Sequence, residues 1–355
     1  MIANPVPWPN GARCAVAFTF DMDADSILHL AHHTSADTRL AAMSMLRYGP
    51  EIAVPRLVEL YKRFGMHQTF FLPAWCMERY PAAVDVILQG GHEIAHHGYL
   101  HEHPNELPSE EELYWLQRGI DVFVTMTGER PRGFRAPTYK FSRHTLIHLV
   151  NEGFGYDASL MGDDVPYLLE NATGRVVELP SHYALDDWPH FMASRDFNYF
   201  MSIKPPRQAM EVYAAEFDAM WEYGGLWIAV WHPFLSGRLA RCVAIAELIE
   251  YMHKKGQVWF ARLDEIAAYV QRLTHALMVP QPFQYFTETV APLDPGALGV
   301  PASYVLSSDD IGLPPGEYGW QRFAERLGVS PLMTPGSHES CFTQPKALAE
   351  ALLKA

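Results

Sequence analysis

The sequence predicts an α/β fold built on a parallel sheet or a closed βα barrel. Three observations carry that expectation. β-type apolar runs alternate with amphipathic helical stretches of crossover length from residue 14 to residue 274. The first run, Cys-Ala-Val-Ala-Phe-Thr-Phe at 14–20, is too apolar to alternate and reads as a strand buried on both faces. Chemistry-bearing residues fall just past the ends of these runs, where barrels of this kind place their sites: Asp21 and Asp23, His97 and His101, Arg135, Asp186 and Asp187, and His232.

Each element has a local reason. A Pro-rich lead-in covers residues 1–13, and residues 26–50 are polar, reading as a loop or short helices over the end of the first strand, positioned to act as a lid. Residues 52–64 have helical spacing and stop at Gly65, after which 67–72 is a strand closed by Pro73. A helix at 81–88 ends at Gly90-Gly91, and a short strand, 93–95, runs into a histidine cluster. The helix at 108–127 opens on Ser109 with Glu112 three residues later, a capping-box pattern. Strands at 133–135, 156–159, 176–180, 226–231 and 257–260 interleave with helices at 142–152, 207–223, 239–254 and 264–274.

Composition bounds the function. A length of 355 residues suits one large α/β domain or two medium ones. A formal net charge of −14 argues against nucleic acid and against anionic membrane surfaces. No stretch is apolar for the length a membrane helix needs, and the first residues carry neither a basic n-region nor an apolar h-region. Cys14, Cys76, Cys242 and Cys341 form no Cys-x-x-Cys pair and read as reduced, mostly buried thiols in a cytoplasmic protein.

Asp21, Asp23 and Asp25 would share one side of an extended chain, and such close carboxylates repel unless a cation sits among them. Five histidines lie between residues 92 and 103, with i, i+4 spacing in both His92/His96 and His97/His101. Spacing alone does not choose between the pairs, but His92 precedes its strand and His97/His101 follow it, on the catalytic side. Two histidines, one carboxylate and a water form a known catalytic zinc arrangement.

Taken in order, Thr-Phe-Asp-x-Asp (19–23), His-Gly-Tyr-x-His (97–101), Arg-Ala-Pro (135–137), Leu-Asp-Asp-Trp-Pro (185–189) and Trp-His-Pro-x-x-Ser-Gly-Arg (231–238) resemble the polysaccharide deacetylase superfamily of carbohydrate esterase family 4 type. The spaced aspartates look closest to the intracellular branch of peptidoglycan-deacetylase-like proteins, allantoinases and cyclic imide hydrolases. The resemblance spans roughly residues 8–272 and implies a distorted (β/α)7 barrel. It makes Asp21 the general base, Asp23, His97 and His101 the ligands of a divalent metal, most simply Zn2+, and Arg135 the partner of the base. His232 becomes the general acid, supported by Asp186 or Asp187. The reaction implied is hydrolysis of a non-peptide C–N bond by a metal-activated water. With Trp75, Trp188 and Trp231 near the expected mouth, a small cyclic imide, amide or ureide is the first expectation. An N-deacetylase of peptidoglycan or N-acetyl sugars comes next, and a non-catalytic binding protein third. The resemblance also implies a homo-oligomer, with tetramers common in that branch.

The expected organisation is a barrel at 1–275, a Pro/Thr-rich linker at 276–301 and a C-terminal piece at 302–355. That piece resembles the last strand–helix units of an α/β-hydrolase, with Asp309 or Asp310 and His338 at the acid and histidine positions. No Gly-x-Ser-x-Gly supplies a nucleophile, so a structural or oligomer-forming part is expected.

Overall fold

The computed structural model describes residues 2, 5–277, 305–307, 330 and 332–334. The chain divides into two units, Met1–Val279 and Pro280–Ala355. In chain order the first unit contains β1 (Cys14–Asp21), α1 (Ser26–Ala31), α2 (Leu40–Tyr48), α3 (Val54–Lys62), β2 (Thr69–Leu72), α4 (Ala74–Arg79), α5 (Pro81–Gln89) and β3 (Glu93–His96). Next come α6 (Ser109–Thr127), β4 (Gly133–Phe134), α7 (Thr145–Asn151), β5 (Tyr156–Asp157), β6 (Tyr167–Asn171), β7 (Gly174–Glu178) and α8 (Trp188–Phe191). The unit ends with α9 (Pro206–Tyr223), β8 (Leu226–Trp231), α10 (Pro233–Ser236), α11 (Leu239–Lys255), β9 (Val258–Phe260) and α12 (Leu263–Leu277).

The strands form one mixed, mostly parallel sheet in the order β6-β7-β5-β4-β3-β2-β1-β8, consistent with a distorted barrel. Nine strands take part where the resemblance implies seven βα units. The surplus is β6, an antiparallel hairpin partner of β7, and β9, which pairs with the first half of β1 while β2 pairs with the second half. Sequence reading missed β6 because its run is short; the Asn171 side chain caps the turn by accepting the N–H groups of Thr173 and Gly174. Beyond β7 an irregular segment runs beside β8, with Val230 donating to the Leu185 carbonyl and Asp187 donating to the Val230 carbonyl.

Every residue of β1 is buried, as its composition demands. Its alternate residues serve two cores. Cys14, Val16, Phe18 and Phe20 pack outward with Trp227, Ala229 and Trp231 against the surrounding helices. Ala15 and Ala17 face inward with Phe71, Ala95, Ile228 and Val230. The inward row continues to Thr19 and Asp21, so it passes from apolar at the base to ionisable at the rim. Trp231, expected at the mouth, is fully buried on the outward face. On the far side, Leu116 and Ile120 of α6 pack with Phe134, Leu149 and Val176.

The capping box does not form. Pro108 is the N-cap of α6, without a side-chain cap bond. The Glu112 carboxylate instead accepts the hydroxyls of Ser142 (2.6 Å) and Thr145 (2.5 Å), tying α6 to the start of α7. Tertiary donors outcompete the local cap because Glu112 is buried and its charge must be satisfied there.

Of the second unit, β10 (Val305–Ser307) and β11 (Leu332–Thr334) form a parallel pair. Asp309, Asp310 and His338 lie outside the described residues. Among the described residues no helix is long and apolar enough to cross a membrane.

Candidate active site

Asp21 is the last residue of β1 and faces inward. Its Oδ1 accepts from Arg135 Nη1 at 2.6 Å. Arg135 is fully buried, which would cost several kcal/mol for an unpaired cation. Its other contacts add to the pairing: Nη1 donates to Thr19 Oγ1 (2.9 Å), Nε donates to the Ala158 carbonyl (3.0 Å), and the guanidinium lies 4.0 Å from the Phe71 ring centroid, while Nη2 has no hydrogen-bond partner.

Met22 turns outward into the core, and Asp23 follows at the site. The Asp23 carbonyl is gripped by the Ser26 hydroxyl (2.6 Å) and the Cys76 thiol (3.0 Å). Ala24 then takes a left-handed conformation, φ 46°, which breaks the strand alternation. Asp25 therefore does not join Asp21 and Asp23: it is buried elsewhere and accepts the Tyr80 hydroxyl at 2.5 Å.

His97 follows β3. Its Nδ1 lies 2.7 Å from the Arg135 carbonyl. A carbonyl only accepts, so Nδ1 carries the proton and Nε2 presents a lone pair. That Nε2 is 3.5 Å from Asp23 Oδ1, and His101 Nε2 is 3.5 Å from Asp23 Oδ2. His101 has a left-handed backbone, φ 69°, a conformation costing about 1–3 kcal/mol. Glu102 holds the loop in place by accepting the N–H groups of Tyr99 (2.8 Å) and Leu100 (2.7 Å). A Cβ on Gly98 would come within 2.9 Å of the Glu102 carboxylate, which explains the glycine.

Asp23, His97 and His101 each offer a ligand atom, all within 4.8 Å of one another. Burial keeps both imidazoles neutral, far below the usual histidine range, as metal ligation requires. Burial also pushes the Asp23 carboxyl upward, and its Oδ1 has no hydrogen-bond partner. Asp23 Oδ1 is buried, unpartnered and turned toward the His97 Nε2 lone pair, and a divalent cation fits that gap. The nitrogen–nitrogen–oxygen donor set suits a borderline metal. The other histidine pair is structural: His92 Nδ1 accepts from the Gln68 N–H (3.0 Å), and His96 sits between the Gly98 N–H (3.1 Å) and the Leu116 carbonyl (3.2 Å).

His232 follows β8. Its Nδ1 is 2.6 Å from Asp187 Oδ1, while Asp187 Oδ2 accepts from the His232 N–H (3.0 Å) and the Ser236 hydroxyl (2.5 Å). Burial pulls the His232 pKa down, but Asp187, Asp23 and Asp186 outweigh it and raise it to about 10. Its Nε2 lies 3.5 Å from Asp23 Oδ2. Sequence reading left Asp186 and Asp187 open as the partner of His232; Asp187 holds the ring. Asp186 accepts from the Tyr139 hydroxyl (2.6 Å) and the Trp188 N–H (2.7 Å), and burial raises its carboxyl to about 6.

These groups open into one cavity of about 820 Å³. Ile27 and Leu30 of α1, Trp188, Phe197, Tyr199 and Tyr139 supply its apolar walls. Of the three tryptophans expected at the mouth only Trp188 lines it; Trp75 packs half-buried against His29. The Phe197/Tyr199 wall and the Tyr139–Asp186 pair were not anticipated. Their signal in the sequence is only an aromatic cluster in a loop and a tyrosine shortly after Arg-Ala-Pro.

A hydrolytic centre at the strand ends of a mixed, mostly parallel α/β sheet is the class that fold and site define together. The sequence profile of the Polysaccharide deacetylase family matches residues 41–157. Peptidoglycan deacetylase from Helicobacter pylori is 28% identical over 248 residues, 62% of this chain and 84% of that one. A solved structure of a polysaccharide-deacetylase-family protein from Mycobacterium smegmatis is 41% identical, with a TM-score of 0.74, over 77% of this chain and 96% of that one. PuuE allantoinase is 26% identical, with a TM-score of 0.66, over 77% and 95%. The chain belongs to the polysaccharide deacetylase family. It is a hydrolase acting on carbon–nitrogen bonds.

Proposed function

We propose that this hydrolase opens a small cyclic imide, amide or ureide. The observation that carries this reading is the apolar, largely aromatic wall of the cavity. Residues of α1 form one wall, and that stretch is tied across to the 194–199 turn. The ties are Arg39 Nη1 to Asp196 Oδ1 at 2.5 Å and His32 Nε2 to the Asp196 carbonyl at 2.8 Å. A polymer needs a long groove, whereas a cavity walled by aromatic and aliphatic side chains suits a compact ring. The similarity to an allantoinase supports the same substrate class.

On this reading Asp23, His97 and His101 hold the metal, with zinc favoured by the donor set. When bound, it supplies Lewis-acid polarisation of the carbonyl and acidification of water. Asp21, paired with Arg135, accepts a proton from the attacking water, whose oxygen bonds to the carbonyl carbon. The ring C–N bond then breaks, and the leaving nitrogen takes its proton from His232 Nε2. Asp187 stabilises the imidazolium before transfer and fixes the ring so that Nε2 faces the reacting centre.

The second reading is N-deacetylation, favoured by the Helicobacter pylori peptidoglycan deacetylase relative. Incubation of zinc-supplemented protein with cyclic imides, allantoin, hydantoins and N-acetylglucosamine oligomers, read by mass, separates the two. Gain of one water on a ring compound is expected. Loss of acetyl from the oligomers, with every ring compound intact, overturns ring opening.

A further inference from the structure

Asp187 alone hydrogen-bonds the His232 Nδ1, which leaves Asp186 as a second buried carboxylate that acts on that ring only through its charge. Asp186 nevertheless lines the cavity. Asp186, Asp187 and His232 each offer one atom within 4.8 Å of the others, so the Asp186 carboxylate stands beside the proton donor. Its position is set in advance: one oxygen accepts the Trp188 N–H and the other the Tyr139 hydroxyl. A carboxylate offers about four acceptor positions, so capacity remains toward the cavity. Burying a carboxylate costs several kcal/mol, and two hydrogen bonds from neutral donors offset only part of that.

We propose that Asp186 is a specificity residue that accepts the N–H of the scissile amide or imide nitrogen. Held by that N–H, the nitrogen of the tetrahedral intermediate turns its lone pair toward His232 Nε2. The leaving nitrogen thus has two neighbours with opposite tasks: Asp186 accepts from the N–H it already carries, and His232 donates the proton it gains. Asp186 itself takes up no proton. The selected substrates are those with hydrogen on the scissile nitrogen. The inference rests on the reading of His232 as the proton donor in ring opening.

The test compares succinimide with N-methylsuccinimide on metal-loaded wild type and Asp186→Asn, by kcat/KM where hydrolysed and by calorimetric Kd in any case. A charge-assisted hydrogen bond predicts that wild type favours the N–H compound by about tenfold or more. Asn keeps the size of the side chain while removing its charge, so discrimination falls toward unity if the hydrogen bond is its source. Discrimination that persists in Asp186→Asn would mark a steric origin and overturn the proposal, as would equal treatment of both compounds by wild type or no binding of either. Asp186→Ala with unchanged metal content and unchanged preference would also overturn it. N–H preference in binding that is lost in Asp186→Asn, without hydrolysis, sinks ring opening and leaves the Asp186 assignment standing. Hydrolysis without preference does the reverse.

Discussion

Replacing Asp187 by Asn should disable proton donation by His232 while leaving its ring in place. Asp187 Oδ1 is 2.6 Å from His232 Nδ1, and an Asn Oδ1 accepts the same N–H without the charge. In the folded protein burial disfavours the imidazolium, and the three carboxylates around it reverse that, raising the pKa from 6.5 to about 10. That interval corresponds to roughly 5 kcal/mol of net stabilisation of the charged ring. Because the folded value is raised, the proton is fully held below 6.5 and lost as the pH rises through about 10. Removing the nearest carboxylate takes away the largest influence opposing burial, so the Asn variant loses its proton at a lower pH than wild type. A divalent cation on Asp23 pulls the value down in both proteins, so the comparison is made with both metal-loaded. The expected outcome at pH 7.5 is a fall in kcat/KM of about 10²–10⁴, shrinking as the pH is lowered. The assay is a pH–rate profile together with NMR titration of the His232 C2 proton. A basic limb at the same pH in both proteins would refute the reasoning. So would a loss equal at every pH, which would locate the effect in geometry alone.

His97→Ala should reduce bound metal from near one equivalent to near none, whereas His92→Ala should retain it, measured by elemental analysis of protein purified without a His-tag; retained metal in His97→Ala would move the site. Acid should destabilise the fold through His92 and His96, because burial lowers their pKa values to about 4 and about 3. These depressed values mean that their stabilising contribution is complete above 6.5 and declines as the pH falls toward the folded values. At pH 5 the loss is about 2 kcal/mol for each. Urea midpoints at pH 7.5 and 5 check this, and His96→Gln should show the smaller pH dependence of the two proteins.

The residues that converge on the candidate site are legible in the sequence because most of them sit just past a strand whose composition announces it. The run at 14–20 could only be a doubly buried strand, and Asp21 is its inward-facing last residue. The same alternation that placed Asp21 misplaced Asp25, since the left-handed Ala24 ends the period of two. Trp231 was assigned to the mouth from its closeness to His232. Strand geometry sends neighbouring residues to opposite faces, so the tryptophan went to the outer core. The capping box failed for a different reason: Ser142 and Thr145 reach Glu112 from a distant stretch of chain.

The sequence by itself determined the element order, the alternation of strand and helix, and which residues stand at strand ends. Those follow from local hydrophobic period and from turn residues. Only the tertiary structure decided between Asp187 and Asp186, because adjacent residues differ in partner through the path of the chain beside β8. It also gave the physical reason for the choice between the two histidine pairs, which position relative to the strand had already indicated. Both have the same spacing, but one is consumed by hydrogen bonds within the fold and the other converges on Asp23. The tie from the α1 side to the 194–199 turn is also tertiary: Arg39 and Asp196 are 157 residues apart, and no local pattern links them.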